Sequence, residues 1–129
     1  MILIFAGAYQ GKLDYALARF QLAESDVYKC NSDDITVPGN KKILYELDKW
    51  ILALVKKDMD VVEAMRQFIA VNQEGIVICN DISCGVVPVD PVLRKWREAV
   101  GRSLAMLSHH AGEVIRVFCG IPTRIKPPA

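Results

Sequence analysis

Apolar and polar positions along this chain fall into blocks whose period switches between that of a strand and that of a helix. ILIFAG, Ile2–Gly7, is a continuous apolar run closed by glycine, which predicts a strand buried on both faces. From Lys12 to about Ala23, Leu13, Ala16, Leu17 and Phe20 recur at helical spacing. DVYKC, Asp26–Cys30, reads as a second strand, and Cys30–Asn40, rich in turn formers and carrying Pro38-Gly39, as a loop. A helix is predicted from about Lys41 to Lys57 on the stripe Ile43, Leu44, Leu47, Trp50, Ile51, Leu54 and Val55. Another opens at Asp60, with Glu63 three residues on as an acidic capping box, and runs to about Asn72. Its stripe is Val61, Val62, Met65, Phe68 and Ile69, which reads as core.

GIVIC, Gly75–Cys79, is the clearest strand, breaking into Asn80-Asp81 and then ISCGVVPVDP. Asp90 before Pro91 marks the start of a long helix to about His110, with Leu93, Trp96, Val100, Leu104 and Leu107 inward. Gly112 ends it. Glu113–Cys119 is a last long strand, and the tail adds a short edge strand near Thr123–Ile125. Strands alternating with helices predict an α/β fold: a parallel sheet flanked by helices, as a single domain over residues 1–129. In such sheets ligands sit outside the carboxyl ends of the strands. Three places qualify: the Ala6–Leu13 turn, the Cys30–Asp34 turn and the Asn80–Gly85 turn.

Composition narrows the class. The 129 residues are 52% hydrophobic and 24% charged, with a mean hydropathy of +0.20, which suits a doubly covered sheet or a subunit that hides surface in an oligomer. A net charge of +1 gives no argument for nucleic acid as a partner. No apolar run approaches the about 18–20 residues needed to span a bilayer, and MILIFAGAY, lacking a basic leader, reads as a strand and not a signal peptide. Cys30, Cys79, Cys84 and Cys119 form no C-x-x-C pair and lie mostly in strand-like runs. They read as reduced thiols of a cytoplasmic protein, not as metal ligands.

Candidate chemistry concentrates in a few stretches. In AGAYQGKL, the residues Ala6, Gly7, Ala8, Tyr9, Gln10, Gly11, Lys12 and Leu13 join a strand to a helix through small residues and a Gly-Lys pair. Backbone amides of such a turn converge on an anion, the helix N-terminus faces it, and lysine reaches the outer phosphates. The hydroxyl that would hold Mg²⁺ is replaced by Leu13, so a phosphate loop and a plain Gly-rich turn both fit. Asp81, just past a strand end, suits a Mg²⁺ ligand or a group orienting a reacting hydroxyl, and equally an ordinary turn former. Arg94, Glu98 and Arg102 share a helix face that is either an anion contact or a self-paired solvated stripe. Gly101 beside Arg102 costs ~1 kcal/mol in a helix, which suggests a close approach to the backbone there. His109 and His110, the two histidines, read as helix C-terminal groups.

Taken together, these residues resemble the adenosylcobinamide kinase/adenosylcobinamide-phosphate guanylyltransferase family. The resemblance rests on Asn80-Asp81, Gly85-Val86-Val87-Pro88, the helix with Arg94, Arg97 and Gly101-Arg102, and the end Gly120–Lys126, with MILIFAGAYQGKL similar to the family's opening strand and phosphate loop. It implies a P-loop-type fold, often trimeric, and a cytoplasmic enzyme that binds GTP or ATP. That enzyme phosphorylates a corrinoid side-chain hydroxyl and then transfers GMP in cobalamin biosynthesis. The implied roles fall on Lys12 and Asp81 for catalysis, Ala6–Leu13 for nucleotide, Arg94 and Arg102 for anion contact, and Asp81 for Mg²⁺. The chain departs from the family in three respects. Asn31–Asn40, where the guanylyl-accepting histidine would lie, contains none; Leu13 replaces a serine; and no acidic strand is evident before the middle helices. Two further expectations stand beside the kinase: a catalytically silent nucleotide-binding or scaffold subunit, and a small α/β protein without a nucleotide site.

Overall fold

The structure is a computed structural model that describes residues 1–36, 41–82 and 87–128. The expectations at Pro38-Gly39 and at Cys84, Gly85 and Val86 lie outside the described residues. The elements are β1 (Ile2–Ala6), α1 (Lys12–Phe20), β2 (Val27–Lys29), β3 (Ile43–Tyr45), α2 (Leu47–Lys56), α3 (Val61–Val71), β4 (Ile76–Asn80), α4 (Pro91–His110), β5 (Glu113–Phe118) and β6 (Ile121–Lys126). They build a six-stranded sheet in the order β2-β3-β4-β1-β5-β6. The first five strands are parallel and β6 pairs antiparallel with β5.

The central strands explain their own apolar runs. Along β1, β4 and β5, Leu3, Val77 and Val114 point to one face while Ile4, Ile78 and Ile115 point to the other, and both sets are buried. Strand side chains alternate with period two, so a strand covered on both faces must be apolar throughout. The first face carries α2, α3 and α4, with the Trp50 and Phe68 rings packed at a tilt, 5.3 Å between centroids. The second carries α1, whose Ala16 belongs to the same buried apolar cluster as Ile4 and Ile115. Helix starts follow the predicted chemistry: Asp60 accepts from Glu63 N, and Asp90 accepts from Val92 N and Leu93 N ahead of Pro91.

One element differs from the sequence expectation. The predicted helix from Lys41 to Lys57 is a strand followed by a helix: Ile43–Tyr45 pairs with β2 and β4, and α2 begins only at Leu47. Ile43, Leu44 and Leu47 fit a helical stripe, but two neighbouring strands offer backbone partners that no local pattern registers. Glu46, with φ 58, makes the sharp transition. The tail strand is also longer than expected, spanning Ile121–Lys126.

Candidate functional site

The site lies where β1, β3 and β4 end. Ala6 is in register with Asn80, and the Asp81 amide donates to Ala6 O at 2.8 Å, so the loop after β1 leaves the sheet against the end of β4. Gly11, with φ 84, caps α1 in a left-handed conformation that glycine adopts without strain. A side chain there would also meet the Gly120 Cα at 3.4 Å. Tyr9, with φ 61, makes a second left-handed step. Gln10 fixes the loop to the β5–β6 turn: its Oε1 accepts from Cys119 N at 2.7 Å and its backbone oxygen from Gly120 N at 2.9 Å.

Lys12 is the first residue of α1 and only 4% exposed. Its Nζ curls back to donate to Gly7 O at 2.6 Å. Burial lowers its pKa, while the charges of Asp48, Cys79 and Glu46 pull the other way. Strand, loop, cation and helix N-terminus thus converge, as anion binding requires. The loop residues Ala8–Leu13 border an open cleft of about 510 Å³ whose other walls are Asp14, Tyr45, Glu46, Lys49 and Asn80. Leu13 lines this cleft and also packs into the apolar layer under α1.

The remaining predicted residues are spread more widely. Asp81 is tied by its backbone to Ala6, beside the cleft, whereas Asn80 supplies a wall. Arg94 and Arg102 lie on α4 and border a separate shallow depression with Val87, Arg97, Glu98 and Gly101. The structure therefore does not bring them to the loop cleft. Arg102 pairs with Glu98 at 2.6 Å, as the self-paired stripe requires. A side chain at Gly101 would meet nothing within 4 Å, so no described part of the chain makes the close approach its position suggested. At the end of α4, Lys126 Nζ donates to Ser108 O and His109 O, so a lysine caps the helix carbonyls. The Cys30–Asp34 turn is close by: a small depression there shares Glu46 and Lys49 with the loop cleft.

Sequence reasoning missed the acids Glu46 and Asp48. They sit just past the end of β3 and in the first turn of α2. Asp48 is 1% exposed. Its Oδ1 accepts from Asn80 N at 3.0 Å and its Oδ2 from Asn80 Nδ2 at 3.3 Å, while its backbone oxygen accepts from Trp96 Nε1 at 2.8 Å. Burial raises its pKa, and the two bonds from Asn80 oppose that. The missed signal is ILY followed by E-x-D, a short β-favouring run closed by paired acids, which the helical stripe on either side concealed. Oxygen donors from Asp14, Glu46, Asn80 and Asp81 at one end of the sheet suit a hard cation such as Mg²⁺. Among the described residues no three His, Cys, Asp or Glu side chains form a ready-made metal cage.

A search of curated proteins returns no match. A family model described as cobinamide kinase / cobinamide phosphate guanyltransferase matches residues 32–125, which takes in β3 to β6 and begins after the loop at Ala6–Leu13. The chain belongs to the cobinamide kinase / cobinamide phosphate guanyltransferase family.

Proposed function

We propose that this protein binds a nucleoside triphosphate, GTP or ATP, on the Ala6–Leu13 loop and transfers its terminal phosphoryl group to the side-chain hydroxyl of a cobinamide in cobalamin biosynthesis. Family membership supports a cobinamide kinase/guanylyltransferase-like role. The observation that carries the nucleotide site is Lys12, buried at the N-terminus of α1 with Nζ on Gly7 O. In this reading the loop amides and Lys12 hold the phosphate oxygens and offset the charge that develops on them. In this reading Asp81, Glu46 and Asp14 hold Mg²⁺, directly or through water. When bound, Mg²⁺ neutralises charge on the outer phosphates. The depression lined by Lys29–Ser32 shares Glu46 and Lys49 with the cleft, and in this reading it takes part of the acceptor. Arg94 and Arg102 are left as outer anion contacts for a large acceptor. Guanylyl transfer through histidine is not part of this proposal, because Asn31–Asn40 contains no histidine.

Leu13 favours a second reading, a nucleotide-binding subunit without turnover. Its side chain is committed to the apolar layer under α1 and supplies no oxygen to a cation. Isothermal titration with GTP and ATP in the presence of Mg²⁺ tests the site. The wild type is expected to bind with a Kd below 1 mM (about −4 kcal/mol), and Lys12→Ala to weaken binding at least about tenfold. No heat with either nucleotide at millimolar concentration rejects the site. Nucleotide binding with equal background turnover of adenosylcobinamide by wild type and Lys12→Ala leaves the silent subunit.

A further inference from the structure

Among the described residues, three charged side chains are buried: Lys12, Asp48 and Glu113. Glu113 is answered by Arg19 and Arg124 at the far end of β5, and Lys12 serves the loop. Asp48 has no cation within 4.0 Å among the described residues, and both its oxygens are engaged by Asn80. An unpaired carboxylate is costly to bury, so what it does for Asn80 needs a reason.

The chemistry of the pair supplies one. Both Asp48 oxygens act as acceptors toward Asn80, whereas an amide presents a donor at one end and an acceptor at the other. Asp48 therefore dictates which end of the Asn80 amide faces it: the NH₂ turns to Asp48 Oδ2, and Oδ1 takes the opposite end. A neutral partner such as asparagine would accept either orientation. Asn80 also walls the phosphate-loop cleft beside Lys12 and Glu46. Trp96 from α4 holds the Asp48 backbone, and the parallel pairing of β4 with β1 holds Asn80 level with Ala6. A neutral oxygen beside a phosphate loop does nothing for an anion but ligates the cation that travels with it. The hydroxyl position after Lys12 is occupied by Leu13.

We propose that Asp48 is a positioning residue that orients the Asn80 amide, so that Asn80 Oδ1 is presented to the cleft as an oxygen ligand for the divalent cation accompanying a bound nucleotide. This rests on the nucleotide site proposed above. It predicts a specific asymmetry. Asp48→Asn lets the Asn80 amide turn over and face the cleft with NH₂, which repels a cation. The double variant Asp48→Asn/Asn80→Asp restores an oxygen to the cleft, because the amide introduced at position 48 then donates to one oxygen of the carboxylate introduced at position 80.

The test has two arms. In the first, Kd for the tighter of ATP and GTP is measured with EDTA and with Mn²⁺, and the ratio reports metal assistance. Asp48→Asn is expected to reduce that ratio about 10- to 100-fold, the usual cost of losing an outer-shell partner, and the double variant to recover it. A ratio unchanged in folded Asp48→Asn, or lost equally in the double variant, overturns the proposal. The second arm needs no nucleotide: the Asn80 side-chain NH₂ resonances in ¹H–¹⁵N spectra should shift downfield in the wild type and collapse toward free-amide positions in Asp48→Asn. Resonances indifferent to that substitution overturn the positioning role. Absence of nucleotide binding with the second arm intact would instead reject the nucleotide site and, with it, the cation-ligand role.

Discussion

At the scale of single residues, burial decides chemistry more than residue type does. Cys30 is enclosed beside β3, and burial pushes its thiol pKa up to about 12; Cys79, fully enclosed in β4, is also raised well above the ordinary range. Cys119 sits exposed at the β5–β6 turn. The thiolate is the reactive form, and a thiol with pKa near 12 has about one in ten thousand molecules ionised at pH 8. Iodoacetamide at pH 8 should therefore modify Cys119 within minutes, while Cys30 and Cys79 react only when the fold opens. Peptide mapping by mass spectrometry reads this directly, and rapid native labelling of Cys30 or Cys79 would contradict their burial. The same contrast separates Lys12, held back by burial, from Arg102, whose pairing with Glu98 is mostly exposed and is worth only about 0.3–0.5 kcal/mol.

Elements are joined at the end of the sheet away from the cleft by an ionic clamp. Glu113 opens β5 and is 5% exposed; it takes Arg19 Nη2 of α1 at 2.9 Å and lies 3.1 Å from Arg124 Nε of β6. The Glu113 contact also raises the pKa of Arg19. One carboxylate thus ties a helix and an edge strand to the strand between them. Glu113→Gln is expected to lower the unfolding free energy by about 1–3 kcal/mol, the range for losing a hydrogen bond to a charged group and leaving partners unsatisfied. Urea denaturation measures it, and a change below about 0.5 kcal/mol would mean that solvent screening has already removed the clamp. Nucleotide affinity should be unaffected, because the clamp and the loop occupy opposite ends of β1 and β5.

For the whole molecule, the sheet order puts β1 between β4 and β5 and leaves β2 and β6 as edges. The three central strands hold Leu3, Ile4, Ile78 and Ile115 without exposure, whereas β6 is exposed along most of its length. Opening β1 requires breaking both sides of the sheet and both apolar layers, while β6 can part from β5 alone. Native-state hydrogen exchange in low denaturant should show the amides of Leu3, Ile4, Ile78 and Ile115 exchanging only by global unfolding and those of β6 far earlier. Comparable rates in β1 and β6 would mean that the molecule opens as a single unit. No helix of the described residues is long and apolar enough to cross a membrane.

The linear chain by itself determined the α/β alternation, the buried strands expected at Ile2–Gly7 and Gly75–Cys79, the Asp90-Pro91 helix start and the Gly11-Lys12 turn. Each of these follows from interactions within a few residues: side-chain period, capping groups, or a glycine where φ is positive. The family resemblance, carried by Asn80-Asp81 and the α4 arginines, was legible in the same local way. Tertiary structure decided what depends on partners distant in sequence. Ile43–Tyr45 became a strand because β2 and β4 flank it, although its own pattern also fits a helix. Asp48, read as part of a helix, became the buried partner of Asn80, 32 residues away. Arg94 and Arg102 were grouped with the site by motif, yet α4 carries them to another depression. Local patterns record which face of an element is apolar; only the packing of strand ends against one another determines which polar groups meet at the site.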